Sequence, residues 1–171
     1  MHAHHNAVSF GMGGRELPTD GVITGTGYVG SSQVAAFSQD FSLLAGTMGK
    51  MQARKIVRLM RHALRVGVPM VAFTDSGGAR IQEGVDALSG YGDVFYYNVM
   101  LSGVVPQIAV ILGPCAGGAA YSPALMDFVI MTRNNAYMFL TGPEVIKAVT
   151  GRSTTMDEVG SAAMHASVSG N

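Results

Sequence analysis

Charged side chains are scarce in this 171-residue sequence, at 13% against about a quarter in an ordinary soluble domain. Eleven basic residues balance eleven acidic ones, so no global field attracts nucleic acid, and none is expected as a partner. Cysteine is nearly missing: Cys115 stands alone, which excludes an intramolecular disulfide and a cysteine-based zinc cluster. No apolar run is long enough to span a bilayer, and no basic segment followed by an apolar one opens the chain, so neither a transmembrane segment nor a secretory signal is expected. No GxGxxG opens a strand-to-helix unit, no lysine follows a phosphate-binding glycine loop, and neither HExxH nor GxSxG occurs.

Glycine and methionine are plentiful instead, with 23 and 12 copies, a composition that suits close backbone approaches and faces covered by another domain or subunit. The organising stretch is residues 105–125, VPQIAVILGPCAGGAAYSPAL. An apolar strand over residues 108–112 is expected to stop at Gly113-Pro114, and Gly117-Gly118 to open a small-residue helix ending near Pro123. Upstream, residues 68–74 form a second proline-initiated apolar strand running into Asp75-Ser76-Gly77-Gly78-Ala79-Arg80. Parallel strands that end in glycine turns on one sheet edge can bring free amides together as an anion or oxyanion site. The alternative is two ordinary strand-to-helix turns in which glycine only relieves crowding.

The remaining pattern is that of an α/β domain. Residues 22–29 and 33–37 read as a hairpin, and residues 43–49 are too rich in glycine to form a firm element. From Lys50 to Gly67 the apolar residues Ala53, Ile56, Val57, Met60, Ala63 and Leu64 recur at helical spacing. The opposite face carries Arg54, Arg58, Arg61 and Arg65, read either as a solvated surface or as a positive wall for a polyanionic ligand. A second helix is expected over residues 85–101, strands over 128–131 and 136–140, a helix from Pro143 to Val149 capped by Thr141, and a last short helix over 155–164. Alternating strands and helices favour a largely parallel sheet with right-handed crossovers.

Side-chain chemistry is thin. Asp75 and Ser76 at a strand end are candidates for a general acid or a nucleophile, but no histidine lies near them in sequence. Cys115 reads as a buried small hydrophobe or as a thiol with lowered pKa beside a helix start. His2, His4 and His5 crowd a chain terminus, a poor place for a preorganised metal site, and no metal is expected. What remains is main-chain chemistry: amides near Gly78 or Ala79 and near Gly118 that would hold a carbonyl oxygen as it turns negative.

Several long motifs then occur in order: PTDGVITGTG, the FSQDF and MGKMQARKIVRLM region, DSGGARIQEG at residues 75–84, GPCAGGAAYSPAL at 113–125, FLTGPEVIKAVTG at 139–151 and GSAAMHASVSGN at 160–171. Together they resemble the carboxyltransferase (beta) subunit of biotin-dependent acyl-CoA carboxylases of the propionyl-CoA and methylmalonyl-CoA type, whose decarboxylase and transcarboxylase relatives share them. The resemblance covers nearly the whole chain from about Phe10.

It implies a partial crotonase-like (ClpP/crotonase) fold with repeated ββα units. Residues 15–171 would be the core of the acyl-CoA-binding N-terminal carboxyltransferase domain, with residues 1–14 a tag-like or ragged segment. It implies transfer of a carboxyl group from carboxybiotin to the alpha carbon of a short acyl-CoA, with Gly117, Gly118, Gly78 and Ala79 forming the oxyanion hole. Gly77, Arg80, Ala116, Ala119, Tyr121, Arg58 and Arg61 would contact the coenzyme A thioester, the two helical arginines through its phosphates. The implied partners are acyl-CoA, a biotin carboxyl carrier bearing carboxybiotin, a biotin carboxylase subunit and further copies of the same chain, in the cytoplasm or, in a eukaryote, the mitochondrial matrix. A methylmalonyl-CoA or glutaconyl-CoA decarboxylase subunit is the nearest alternative, and a noncatalytic acyl-CoA-binding or assembly fragment a further one.

Overall fold

The computed structural model describes residue 5, residues 7–15 and residues 17–170, so His2 and His4 of the histidine-rich start lie outside the described residues. One six-stranded mixed sheet organises the chain. Its main path runs β1 (Val22–Val29), β2 (Ser32–Gln39), β3 (Met70–Ser76), β4 (Gln107–Ala116), β5 (Phe128–Met131), and β6 (Tyr137–Phe139) pairs with the far end of β4. β1 and β2 are antiparallel across a two-residue turn in which Gly30 takes φ +61°, the left-handed conformation such hairpins need. All later pairings are parallel.

Strand order follows chain order from β2 to β5, and right-handed crossovers wound in one direction put their helices on one face. The helices are α1 (Lys50–Val66) and α2 (Val85–Leu101). α1 buries Ala53, Ile56, Met60 and Ala63 of the expected stripe together with Gln52 and Leu59, leaves Val57 and Leu64 half-buried, and ends at Gly67, whose φ of +76° supplies a left-handed cap. Its N-terminus has no local side-chain cap; remote carboxylates serve instead, the Lys50 N–H donating to Glu83 Oε2 at 2.7 Å and the Gln52 N–H to Asp20 Oδ2 at 2.6 Å. Gly90 lets α2 lie close on α1, since a Cβ there would meet Ala53 Cβ at 2.8 Å.

Beyond β4 come α3 (Gly118–Ala124), α4 (Pro143–Thr150), α5 (Met156–Gly160) and α6 (Ala162–Met164). Three expectations are corrected. β4 does not stop at Gly113-Pro114 but continues to Ala116 through a register shift opposite Thr74–Ser76, after which its partner changes from β5 to β6. Gly113 marks that shift because the Asp75 carboxylate fills the space a Cβ would need. Thr141 is not the cap of α4; Gly142 holds that position and its carbonyl accepts from the Val145 and Ile146 N–H groups. The expected helix over 155–164 is broken at Ser161, which leaves helical geometry (ψ 158°) and caps α6 with its own hydroxyl.

Candidate functional site

The turns after β3 and β4 lie against each other. Parallel pairing sets Ser76 opposite Cys115, so the two strands deliver their glycines to one edge of the sheet. Gly78 has φ +103°, and a Cβ built on it would lie 2.8 Å from the Ala116 carbonyl oxygen and 4.0 Å from the Gly118 nitrogen. Only glycine permits that approach.

The four positions proposed for the oxyanion hole divide into two kinds. The Gly78 N–H donates inward to Ser76 Oγ at 3.2 Å, and the Gly117 N–H donates to the Phe139 carbonyl at 3.0 Å. Those two residues shape the turns and have no amide to spare. The Ala79 and Gly118 N–H groups find no acceptor among the described residues. Their directions follow from peptide planarity, which sets C=O and N–H on opposite sides of a trans unit. The Gly78 carbonyl accepts from the Met48 N–H at 2.9 Å on the β2 side, so the Ala79 N–H points the other way, toward β4. The Gly117 carbonyl accepts from the Ala120 N–H at 3.0 Å, so the Gly118 N–H points out of that turn. Both residues are half-buried, accessible to a ligand atom yet partly shielded from water.

Other candidates fall into place around them. Gly77 is exposed and Ala116 half-buried, at the lips of the two turns, while Ala119 is buried behind them. Tyr121 is exposed and sits edge-on to Phe95 at 5.7 Å. Arg80 does not reach this surface. It is 1% exposed, pairs with Asp20 and Glu83, and donates to the Thr47 carbonyl at 2.7 Å. It bridges the two carboxylates that cap α1 and braces the turn from behind. Asp20 has its carboxyl pushed upward by burial, an effect Arg80 opposes.

Arg58 and Arg61 line a separate groove of about 890 Å³ between α1 and β1, with Lys55, His62, Arg65, Thr24 and Thr26. Those three arginines have no carboxylate partner among the described residues.

The side-chain alternatives weaken. Ser76 is fully buried and spends its hydroxyl proton on the Gly46 carbonyl at 2.9 Å, so it is no nucleophile. Burial, with Asp75 nearby, pushes the Cys115 thiol up to about 12, the reverse of an activated cysteine. Burial and the neighbouring Asp40 raise the Asp75 carboxyl, whose Oδ1 has no hydrogen-bond partner. Among the described residues no group of three or more histidine, cysteine or acidic side chains is placed to hold a metal, and no helix is long and apolar enough to cross a membrane.

Sequence reasoning missed the segment that holds the turn, residues 44–48; Tyr91, legible in the sequence only as one of an aromatic cluster on α2 suited to ligand, subunit or core, is buried with its ring beneath Gly118, 3.1 Å from where a Cβ would be. The signal for the segment was the glycine content that made it look shapeless. Gly46 is there because a Cβ would collide with the Asp75 carbonyl oxygen.

A sheet edge that sets two glycine turns side by side, each with an N–H group that finds no acceptor among the described residues, is able to hold a carbonyl oxygen through its main chain. The carboxyl transferase domain matches residues 1–171, and the chain belongs to that family. It is 57% identical over 167 residues to the methylmalonyl-CoA carboxyltransferase 12S subunit of Propionibacterium freudenreichii subsp. shermanii, covering 98% of this chain and 32% of that protein. It is 55% identical over 166 residues to the methylmalonyl-CoA decarboxylase subunit alpha of Veillonella parvula, covering 97% of this chain and 33% of that one. The crystal structure of transcarboxylase 12S with methylmalonyl-coenzyme A and methylmalonic acid bound superposes with a TM-score of 0.95 at 56% identity, over 98% of this chain and 33% of that one. The chain thus spans about a third of the length of the relatives it matches.

Proposed function

We propose that residues 15–171 are the core of an acyl-CoA-binding carboxyltransferase domain with a partial crotonase-like fold, acting in transfer of a carboxyl group from carboxybiotin to the alpha carbon of a short acyl-CoA. The observation that carries this is the meeting of the Gly78–Ala79 and Gly117–Gly118 turns with the Ala79 and Gly118 amides unspent.

A thioester oxygen placed between these amides gains negative charge when the alpha carbon loses its proton. Two fixed donors stabilise that charge without reorganising, and loss of one such donor costs about 3–4 kcal/mol in comparable sites. Gly78 and Gly117 keep side chains out of the space. Carboxybiotin, brought on a carrier protein charged by a biotin carboxylase subunit, would supply the carboxyl carbon and, on release, a basic nitrogen. Cleavage of the nitrogen–carboxyl bond would release carbon dioxide and free that nitrogen to take the alpha proton, and the enolate held by the two amides would then bond to the carbon dioxide. Arg58 and Arg61 would meet the coenzyme A phosphates from the basic groove. A homo-oligomeric assembly fits the hexamer described for the transcarboxylase 12S structure.

Decarboxylation of an acyl-CoA by the same site is a second reading, favoured by the near-equal identity to a decarboxylase subunit. The same amides would hold the enolate left when carbon dioxide departs. Calorimetric titration of the chain with propionyl-CoA and methylmalonyl-CoA tests the shared core of both readings: absence of binding to either thioester refutes it. A second domain is expected to complete the biotin pocket, so transfer by these 171 residues alone should be weak or absent. Robust carboxylation of propionyl-CoA without another subunit would overturn that expectation.

A further inference from the structure

Resting on the site proposed above, we propose that Ser76 is a positioning residue: with a strained backbone strap at residues 44–48, its hydroxyl fixes the turn so that the Ala79 N–H alone is left for the thioester oxygen.

Consider where the amides of residues 77–80 go. The Gly77 N–H donates to the Ala45 carbonyl at 2.9 Å, and the Arg80 N–H to the Met48 carbonyl at 2.9 Å. The Gly78 N–H has no main-chain acceptor and is held by Ser76 Oγ at 3.2 Å. Two of the four go to the strap and one to Ser76, and Ala79 is the exception. Gly78 is the weak link, because glycine rotates freely and its amide is the one satisfied by a side chain. Removing Oγ leaves a buried N–H without a partner, and the Gly77–Gly78–Ala79 peptides gain rotations that relieve it at the expense of the Ala79 direction.

Ser76 is in turn fixed from outside the turn. Its proton goes to the Gly46 carbonyl at 2.9 Å, so its lone pairs are left for the Gly78 N–H, which donates to it at 3.2 Å. That carbonyl is aimed by an unusual backbone: Leu44, Ala45 and Gly46 have φ of 52°, 54° and 62° in succession. Two consecutive non-glycine residues in the left-handed region persist only where the surroundings enforce them, and such outliers gather at working sites. Thr47 holds it in place, its N–H and its Oγ1 both donating to the Leu44 carbonyl, at 3.1 and 2.6 Å. The strap also supplies the Met48 N–H that orients the Gly78 carbonyl. Strain at 44–46 and the Ser76 hydroxyl are two parts of one brace.

The test separates orientation of one amide from general loss of structure. Propionyl-CoA, its thioether analogue S-propyl-CoA, which lacks the carbonyl, and free CoA are titrated calorimetrically into the chain and into Ser76→Ala and Thr47→Val. The wild-type preference for propionyl-CoA over the thioether is expected to be about tenfold, the worth of two ordinary hydrogen bonds to a neutral carbonyl oxygen. Ser76→Ala should lower this preference at least about fivefold while its affinity for free CoA stays within about twofold, and Thr47→Val should move it in the same direction. A folded Ser76→Ala that keeps the full preference overturns the proposal. So does a loss shared equally by all three ligands, which marks a merely structural role. If Ser76→Ala does not fold, Thr47→Val alone decides by the same criteria. A wild-type chain that binds the thioester and the thioether equally refutes the site itself, and the positioning role with it.

Discussion

Replacing Gly78 by alanine tests the contact on which the site depends. The residue has φ +103°, outside the conformations an L side chain accepts readily, and the new Cβ would lie 2.8 Å from the Ala116 carbonyl oxygen, main chain of the facing turn. The conformational penalty is about 1–2 kcal/mol. Forcing the two turns apart adds about 1–3 kcal/mol, as overpacking does in a close-packed interior. The sum, about 2–5 kcal/mol, is large against a total stability of about 5–15 kcal/mol, but the domain should still fold. At about 2–4 °C per kcal/mol, the thermal midpoint should fall by about 4–20 °C. Gly77→Ala is the internal comparison: one residue away, its Cβ would meet Thr47 Cγ2 at an ordinary 3.5 Å, without left-handed backbone. Its stability should stay within about 0.5 kcal/mol of the parent. Urea unfolding of both variants, with slope as well as midpoint, is the assay. Equal midpoints for Gly77→Ala and Gly78→Ala would refute the claim that the turns touch at Gly78.

Arg58→Ala with Arg61→Ala should weaken propionyl-CoA binding and flatten its dependence on ionic strength, if the groove on α1 receives phosphate; an unchanged salt slope removes both arginines from the site. Asp75 gives a pH signature. Burial raises its carboxyl in the folded state above the ordinary 3.8, so the folded chain binds a proton more tightly than the unfolded one. Stability therefore falls as pH rises from 3.8 through the folded value, and Asp75→Asn should be more stable than the parent at pH 7 but not below pH 3.8. A stability difference between the two proteins that does not change with pH would contradict the assignment.

The parts of the fold legible in the sequence are those whose causes are local. α1 follows from apolar residues at helical spacing between Lys50 and a closing Gly67, and the β1–β2 hairpin from alternating residues around Gly30. β4 was cut short because Gly113-Pro114 is a reliable stop only when nothing refills the ladder. Here β6, some twenty residues later in the chain, pairs with Pro114–Ala116. The family resemblance places Arg80 against the ligand, and nothing in the local sequence contradicts it. Its placement is decided by Asp20, sixty residues earlier, and by the Met48–Ala79 bridge that turns its backbone inward. The same holds within the site. The glycines were visible, but which amides they leave free depends on Ser76, Met48 and Phe139, each a partner from another element or the strand behind, and no spacing rule encodes that.

A site made of main-chain nitrogens is hard to remove by ordinary mutagenesis, and Gly118→Pro is the substitution that does so. Gly118 is the first residue of α3, where the fixed φ of proline suits the helix and its missing N–H leaves no intrahelical bond unmade. Proline restricts the residue before it to extended conformations. Gly117, at φ 58° and ψ −126°, is the mirror image of such a conformation, which glycine adopts at little cost. The ring must still be accommodated by Tyr91, whose nearest atoms lie 3.1–3.4 Å from the Cβ position, so the aromatic side chain has to shift by a few tenths of an ångström. Overpacking of that kind costs about 1–3 kcal/mol, which leaves the domain folded. The variant should bind free CoA like the parent and lose its preference for propionyl-CoA over S-propyl-CoA. Gly118→Ala carries the comparison, because it presses on Tyr91 in the same way but keeps the N–H. If both variants retain the preference, the Gly118 amide is not a donor to the thioester. If both lose it equally, crowding by Tyr91 is responsible. Only loss in the proline variant with retention in the alanine variant assigns the bond to that nitrogen.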